Sequence, residues 1–325
     1  MRGQLLLATQ DGFSAWATEG GTWHCRVTGL ADHHLTCLTA TPNRFLTGTH
    51  EGVWRSDDSG KSWQDSSGGI SLPHARWIAS HPDDSSVVLL GTEPAGVFLS
   101  RDGGESWQQR PEISDFRDEG GWYLPYSPEA GCVRGFAFSG PRAYAAVEQG
   151  GMLVSDDTGE SWRIAKGSTG ETDTPVPRGY IHPDVHSVCV HPSSADLVLA
   201  PCGGGFYRST DGGAHWEQID DCYVRAVWCD PHDPDHMILG PADGVSSDGR
   251  IEVTRDGGDT WEPAWDGLEC PWPDDMVDRF LTADDQIVGI LSNGKLIAAD
   301  PEELQWQRII ETETTVEAAA WIAAE

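Results

Sequence analysis

SDDSGKSW at residues 56–63 decides the fold, because the chain writes this octet five times. The other copies are SRDGGESW (100–107), SDDTGESW (155–162), STDGGAHW (209–216) and TRDGGDTW (254–261). Their tryptophans, Trp63, Trp107, Trp162, Trp216 and Trp261, are spaced 44, 55, 54 and 45 positions apart, enough for one four-stranded sheet per repeat. Two weaker copies, ATEGGTW (17–23) and AADPEELQW (298–306), bring the units to seven. The octet reads as a turn. Its Asp accepts backbone N–H groups ahead of it, its second Gly takes positive φ without steric cost, and its Trp fills the space between adjacent sheets.

Each octet follows the same apolar pattern. HARWIASHPDDSSVVLLGTEPAGVFLS (74–100) and DVHSVCVHPSSADLVLAPCGGGFYRS (184–209) alternate apolar and polar residues, turn at Pro-Asp or Pro-Ser, run through Val and Leu, and turn again at glycine. That is an antiparallel meander of three strands, with a fourth after the octet. The N-terminal stretch QLLLATQDGF begins at a second strand, while TTVEAAAWIAAE (314–325) supplies a strand with no octet behind it. Pairing the two closes a ring and removes the exposed sheet edges. The expectation is therefore one all-β domain, 1–325, a seven-bladed propeller of four-stranded antiparallel blades. Its blades fall at 1–29 plus 314–325, 33–66, 74–110, 131–165, 183–219, 222–264 and 276–309, with long cap loops at 111–130 and 166–182.

On these octets the chain resembles the Asp-box (bacterial neuraminidase repeat) β-propellers over its whole length. The resemblance implies that the box lies at the edge away from the ligand-binding face, which makes Asp58, Asp102, Asp157, Asp211 and Asp256 structural rather than catalytic. Sialidases belong to that family and bind a carboxylate with an arginine triad. This chain departs from them: it counts seven units where they call for six, has no Arg-Ile-Pro segment before the first box, and offers no Tyr/Glu pair by motif. The seven-bladed photosystem-assembly propellers, which are scaffolds, match the repeat count. The resemblance thus implies a fold and leaves activity open.

Composition narrows the setting. The net charge of −31 disfavours nucleic acid and anionic membrane as partners. No apolar stretch is long enough for a signal-peptide core or a bilayer span, so the expected location is the cytoplasm. Lys61, Lys166 and Lys295 are the only lysines among 21 basic residues, a bias seen both in salt-in halophiles and with GC-rich genomes. The eight cysteines form no Cys-x-x-Cys pair and read as small buried thiols.

Function in a propeller sits where the inner strands begin and loops converge. Aligning the seven inner-strand patterns brings Glu317, Thr36, Arg76, Arg134, His186, Arg225 and Asp278 to one equivalent position around the axis. Arg76, Arg134 and Arg225 would clamp a carboxylate or phosphate, with Thr36, His34, His50, Glu51 and Glu148 on the mouth beside them. Trp122, Tyr123, Tyr126, Tyr180 and His182, from the two long loops, would form an aromatic wall for a sugar or another ring. In a hydrolase or β-eliminating lyase, His186 or Tyr180 would move the proton, with Asp278 and Glu317 as the acidic pair. No cofactor is expected, though the mouth histidines with Asp278, Glu317 or Glu51 could hold a divalent metal. The functional expectation is a small anionic or polar ligand, such as a carboxylated sugar, at the mouth. Two alternatives stand beside it: the charges neutralise one another around water, or the chain is a non-catalytic scaffold for a protein partner.

Overall fold

The computed structural model describes residues 2–124, 130–172 and 175–324. Its strands form seven four-stranded antiparallel sheets set as the blades of a propeller. Six blades are built from consecutive strands, and the remaining one closes the ring: the C-terminal strand Val316–Ala323 lies innermost, antiparallel to Gly3–Thr9, with Gly12–Glu19 and Thr22–Gly29 outside it. The other inner strands are Leu35–Thr41, Ala75–Ser80, Cys132–Ser139, Cys189–Val190, Tyr223–Asp230 and Val277–Ala283.

Burial explains why the ring is rigid. Seven apolar clusters fill the seven gaps between blades, among them one of Leu5, Leu7, Val288 and Ile290 across the closure. Second strands approach the next blade so closely that some positions admit no side chain: a Cβ at Gly91 would collide with Val133, and one at Gly240 with Val277.

The five octets fold alike. In the first, Ser56 Oγ donates to Asp58 Oδ1 at 2.9 Å and accepts from the Gly60 N–H at 2.9 Å, while Asp58 takes the Ser62 N–H at 2.8 Å and the Ser62 hydroxyl at 2.6 Å. Gly60 sits at φ 85°. The same bonds recur around Asp102, Asp157, Asp211 and Asp256, with the His215 ring in place of a hydroxyl in the fourth. These donors hold Asp58 and Asp256 down at about 2. Since each octet joins a third strand to a fourth, all five lie on the face opposite to where the inner strands begin. In the degenerate seventh copy the positive φ falls at Leu304, at 51°, and Asp300 still accepts the Glu302 N–H at 2.8 Å.

The cap at 111–130 contains a helix, Glu112–Gly120, where the sequence reading has a loop. Pro111 opens it, Gly121 at φ 61° ends it, and Ile113 buries its apolar side against blades three and four.

Candidate functional site

Every inner strand slips its register at the position that aligns the blades, and Tyr223–Asp230 slips a second time at Cys229/Asp230. Pairing skips one residue at Thr36, Arg76, Arg134, Asp278 and Glu317, and falls one out of step across Arg225–Ala226. In the fifth blade the N–H groups of His186 and Ser187 both point to the Pro201 carbonyl, at 2.9 and 3.4 Å. These are β-bulges, which break the two-residue alternation and re-aim side chains. Neighbouring residues therefore face the channel together: Arg76 with Trp77, His186 with Ser187, Arg225 with Ala226, Asp278 with Arg279.

The channel encloses a cavity of about 840 Å³, and all seven aligned residues line it. Because the inner strands run the same way along the axis, its wall changes character with depth. The entrance is charged. Farther along the strands come Phe138, Val188, Val190, Trp228, Phe280 and Leu281, an apolar end.

The three arginines grouped from the sequence each have their own carboxylate. Arg76 Nε lies 3.5 Å from Glu93 Oε2, Arg134 Nη1 3.4 Å from Glu148 Oε2, and Arg225 Nη1 2.8 Å from Asp278 Oδ1. Arg225 Nε also donates to the Tyr223 hydroxyl at 3.1 Å. The self-neutralising alternative describes these three well. Arg279 differs: among the described residues no carboxylate stands at ion-pair distance from it, and its guanidinium lies 4.4 Å from the Trp77 ring centre. Burial, and then the Arg134 charge, pull its pKa down to about 10. Asp278 opposes that shift only from a distance, so Arg279 is a positive charge on the cavity wall without a direct ion pair among the described residues.

His186 is 4% exposed and donates from Nδ1 to the Val224 carbonyl at 2.8 Å, leaving Nε2 3.3 Å from Asp184 Oδ2 and 3.5 Å from the Tyr223 oxygen. Burial pushes Asp184 upward, but the His186 bond together with the charges of His186, His182 and Arg134 outweighs it and keeps the carboxylate below its usual range. Asp184 Oδ1 is buried without a hydrogen bond. Among the described residues, Glu148, Asp184 and His186 bring one ligand atom each within 4.8 Å of the others and could hold a divalent ion behind the channel wall, which His186 alone of the three lines. Asp230, His236 and Glu302 make a second such group outside the cavity.

On the rim, Glu317 accepts Gln10 Nε2 at 2.9 Å and lies 3.6 Å from His34 Nε2. His50 stacks on His74 with ring centres 4.2 Å apart, and His34 lies tilted against His50 at 4.9 Å. Of the mouth histidines, His186 is the one among the described residues that falls in a group with ligand atoms close enough to share an ion. Burial, then Arg76, depress His74 to about 4. Thr36 donates to the Ala75 carbonyl at 2.6 Å and serves the backbone.

Of the expected aromatic wall, the described residues Trp122, Tyr123, Tyr180 and His182 do not line the cavity. Trp122 is 3% exposed and packs between cap and blades, its Nε1 bonded to the Gly170 carbonyl at 2.8 Å. Tyr123 is 60% exposed. Tyr180 and His182 sit half-buried in the second cap, His182 accepting the Asp184 N–H at 3.1 Å, and Glu51 is exposed in a turn. Tyr126 lies outside the described residues. Glu148 is buried behind Arg134 rather than on the wall. Sequence reading missed Trp77, Asp184, Tyr223 and Arg279. Only Tyr223 carried a local signal, being two residues from Arg225 on one strand.

No protein-family model and no curated protein sequence matches the chain. Solved structures match in fold. An ancestral GH74 enzyme superposes with TM-score 0.63 at 19% identity, over 89% of this chain and 38% of that one, so the chain spans little more than a third of that enzyme. YCF48 bound to D1 peptide matches with TM-score 0.61 at 16% identity, over 97% of this chain and 91% of that one. Sqt1 of Chaetomium thermophilum, bound to the N-terminus of ribosomal protein L10, matches with TM-score 0.57 at 13% identity, over 94% and 82%. Such likeness shows the seven-bladed architecture; neighbours with it include both glycoside hydrolases and a photosystem assembly factor.

Proposed function

We propose that the chain binds a small organic anion inside the channel, its acid group on Arg279 and its body along the apolar end. The observation that carries this reading is Arg279, a guanidinium on the cavity wall with no carboxylate at ion-pair distance among the described residues, its neighbour Asp278 acting on it only at longer range while paired with Arg225. A carboxylate or phosphate ester matches its planar donors, and Arg134 adds to the field. A carboxylated sugar remains within the class, with Phe280 or Trp228 under its ring. Binding is favoured over glycoside hydrolysis or elimination, because Asp278 is engaged by Arg225 and Glu317 by Gln10. An ion on Glu148, Asp184 and His186 belongs to the same proposal as a secondary occupant, and the eight free thiols support a reducing, cytoplasmic setting.

A second reading, a scaffold for a protein partner, has its support in the peptide-bound neighbours of the same fold. Thermal-shift screening of sugar acids, aromatic carboxylates and phosphate esters separates the two. Wild type should be stabilised by at least one anion, and Arg279→Gln should bind it about tenfold or more weakly. Flat responses in both proteins would reject the anion reading and leave the scaffold.

A further inference from the structure

Two cysteines in the channel do not fit the picture of isolated small thiols. Cys189, on the inner strand of the fifth blade, and Cys229, on that of the sixth, face each other with sulfurs 3.1 Å apart. They come from different sheets, 40 residues apart in the chain, and both line the cavity. The remaining cysteines offer no comparable pair. Cys37, Cys132 and Cys202 are buried, and burial holds the Cys37 thiol at about 11; Cys25 is exposed and alone.

We propose that Cys189 and Cys229 form a reversible disulfide across the channel wall, a modification site for hydrogen peroxide or a small organic hydroperoxide. A disulfide of about 2.05 Å asks the two sulfurs to approach by about 1 Å more, within the reach of side-chain rotation. The site is open to a small oxidant because both residues are only half-buried and face the cavity. Either sulfur can donate in the S–H···S contact, and the proposal takes Cys229 as the attacking thiolate with Cys189 holding the proton. That thiolate attacks a peroxide oxygen, the O–O bond breaks, and the departing hydroxide takes the Cys189 proton as water. Cys189 then attacks the sulfenic sulfur, the S–O bond breaks, and hydroxide leaves to become the second water with a proton from solvent. Two sulfurs lose two electrons and one peroxide gains them.

The bond would tie the weakest inner strand to a strong one. Cys189–Val190 has two residues where Tyr223–Asp230 has eight, so the fifth blade meets the axis with the least sheet pairing. Oxidation would fix that strand and the wall carrying His186.

The experiment treats the full-length protein with a small excess of hydrogen peroxide, blocks remaining thiols by alkylation, and maps peptides by mass. The expected result is a Cys189–Cys229 cross-link, lighter by two hydrogens and reversed by dithiothreitol, with a melting temperature raised by about 5 °C. Cys189→Ser should leave Cys229 as a sulfenic acid that dimedone traps, while Cys229→Ser should leave Cys189 unlabelled. Alkylation of both residues in wild type, under conditions that oxidise Cys25, would overturn the proposal without need of any variant. Dimedone labelling of Cys189 in Cys229→Ser, and none of Cys229 in Cys189→Ser, would overturn the assigned chemistry.

Discussion

On one face of the ring five octets repeat both backbone and side chains; on the other, seven bulges repeat the backbone and change nearly every side chain. The octet turns satisfy themselves. Each Asp is bonded within eight residues of sequence, so the same letters solve the same local problem five times. The bulges solve a geometric problem, aiming a residue at the axis, and leave its identity free. Repetition of residues marks structure here, and repetition of position with varied residues marks the candidate site.

The scaffold beneath both faces is the most sensitive point. Deleting residues 314–325 removes the strand Val316–Ala323 and bares the edge of Gly3–Thr9, so the truncated chain should aggregate or lose its cooperative melt. Unchanged melting by calorimetry would break the closed-ring account on which the comparison rests.

A smaller effect tests the bulge face. Arg225→Ala strands the half-buried Asp278 and should cost about 2 kcal/mol by urea denaturation. Arg279→Gln should cost little, having no carboxylate to strand. Equal losses in the two variants would erase the distinction drawn between paired and unpaired arginines.

On the octet face, Asp211→Ala leaves the Ala214 and His215 N–H groups and the Ser209 hydroxyl without their acceptor. The expected loss is about 1 kcal/mol, the scale of a missing helix cap, with channel ligand affinity unaltered. Weakened binding at intact stability would put the octet on the wrong face.

Acid should separate the faces with the smallest effect. His74 stays near 4 when folded against 6.5 ordinarily, so between those values the unfolded chain holds a proton the folded one lacks, and stability falls as pH drops from about 6.5 to 4. His50 is shifted the same way. The octet carboxylates Asp58 and Asp256, held at about 2 against 3.8, stabilise above 3.8 and lose that contribution as pH falls toward and through 2. His74→Gln should flatten the upper segment of a plot of melting temperature against pH and spare the lower. An unflattened upper segment would assign that slope to other groups.

The amino-acid sequence alone determined the blade number, the strand order and the closure, because octet turns and apolar alternation are local patterns that a linear reading can see. It also determined which seven residues reach the axis, since the repeat supplies its own alignment. Only the tertiary structure decided what those residues do there. Arg76, Arg134 and Arg225 read as a clamp until Glu93, Glu148 and Asp278 are seen beside them, Glu93 from the turn after Val88–Thr92 and the other two from other strands. Arg279 was hidden by the bulge at Asp278: strict alternation turns the residue after Asp278 away from the channel, and the skipped pairing turns it in. Trp122 followed the aromatic composition of its loop into an expected wall, while the depth of the cleft between cap and blades drew it into the core. The Cys189–Cys229 contact joins two sheets across 40 residues with no spacing motif to announce it. Pattern fixes what neighbours in the chain can settle among themselves; partners of charge, of sulfur and of burial are chosen when the ring closes.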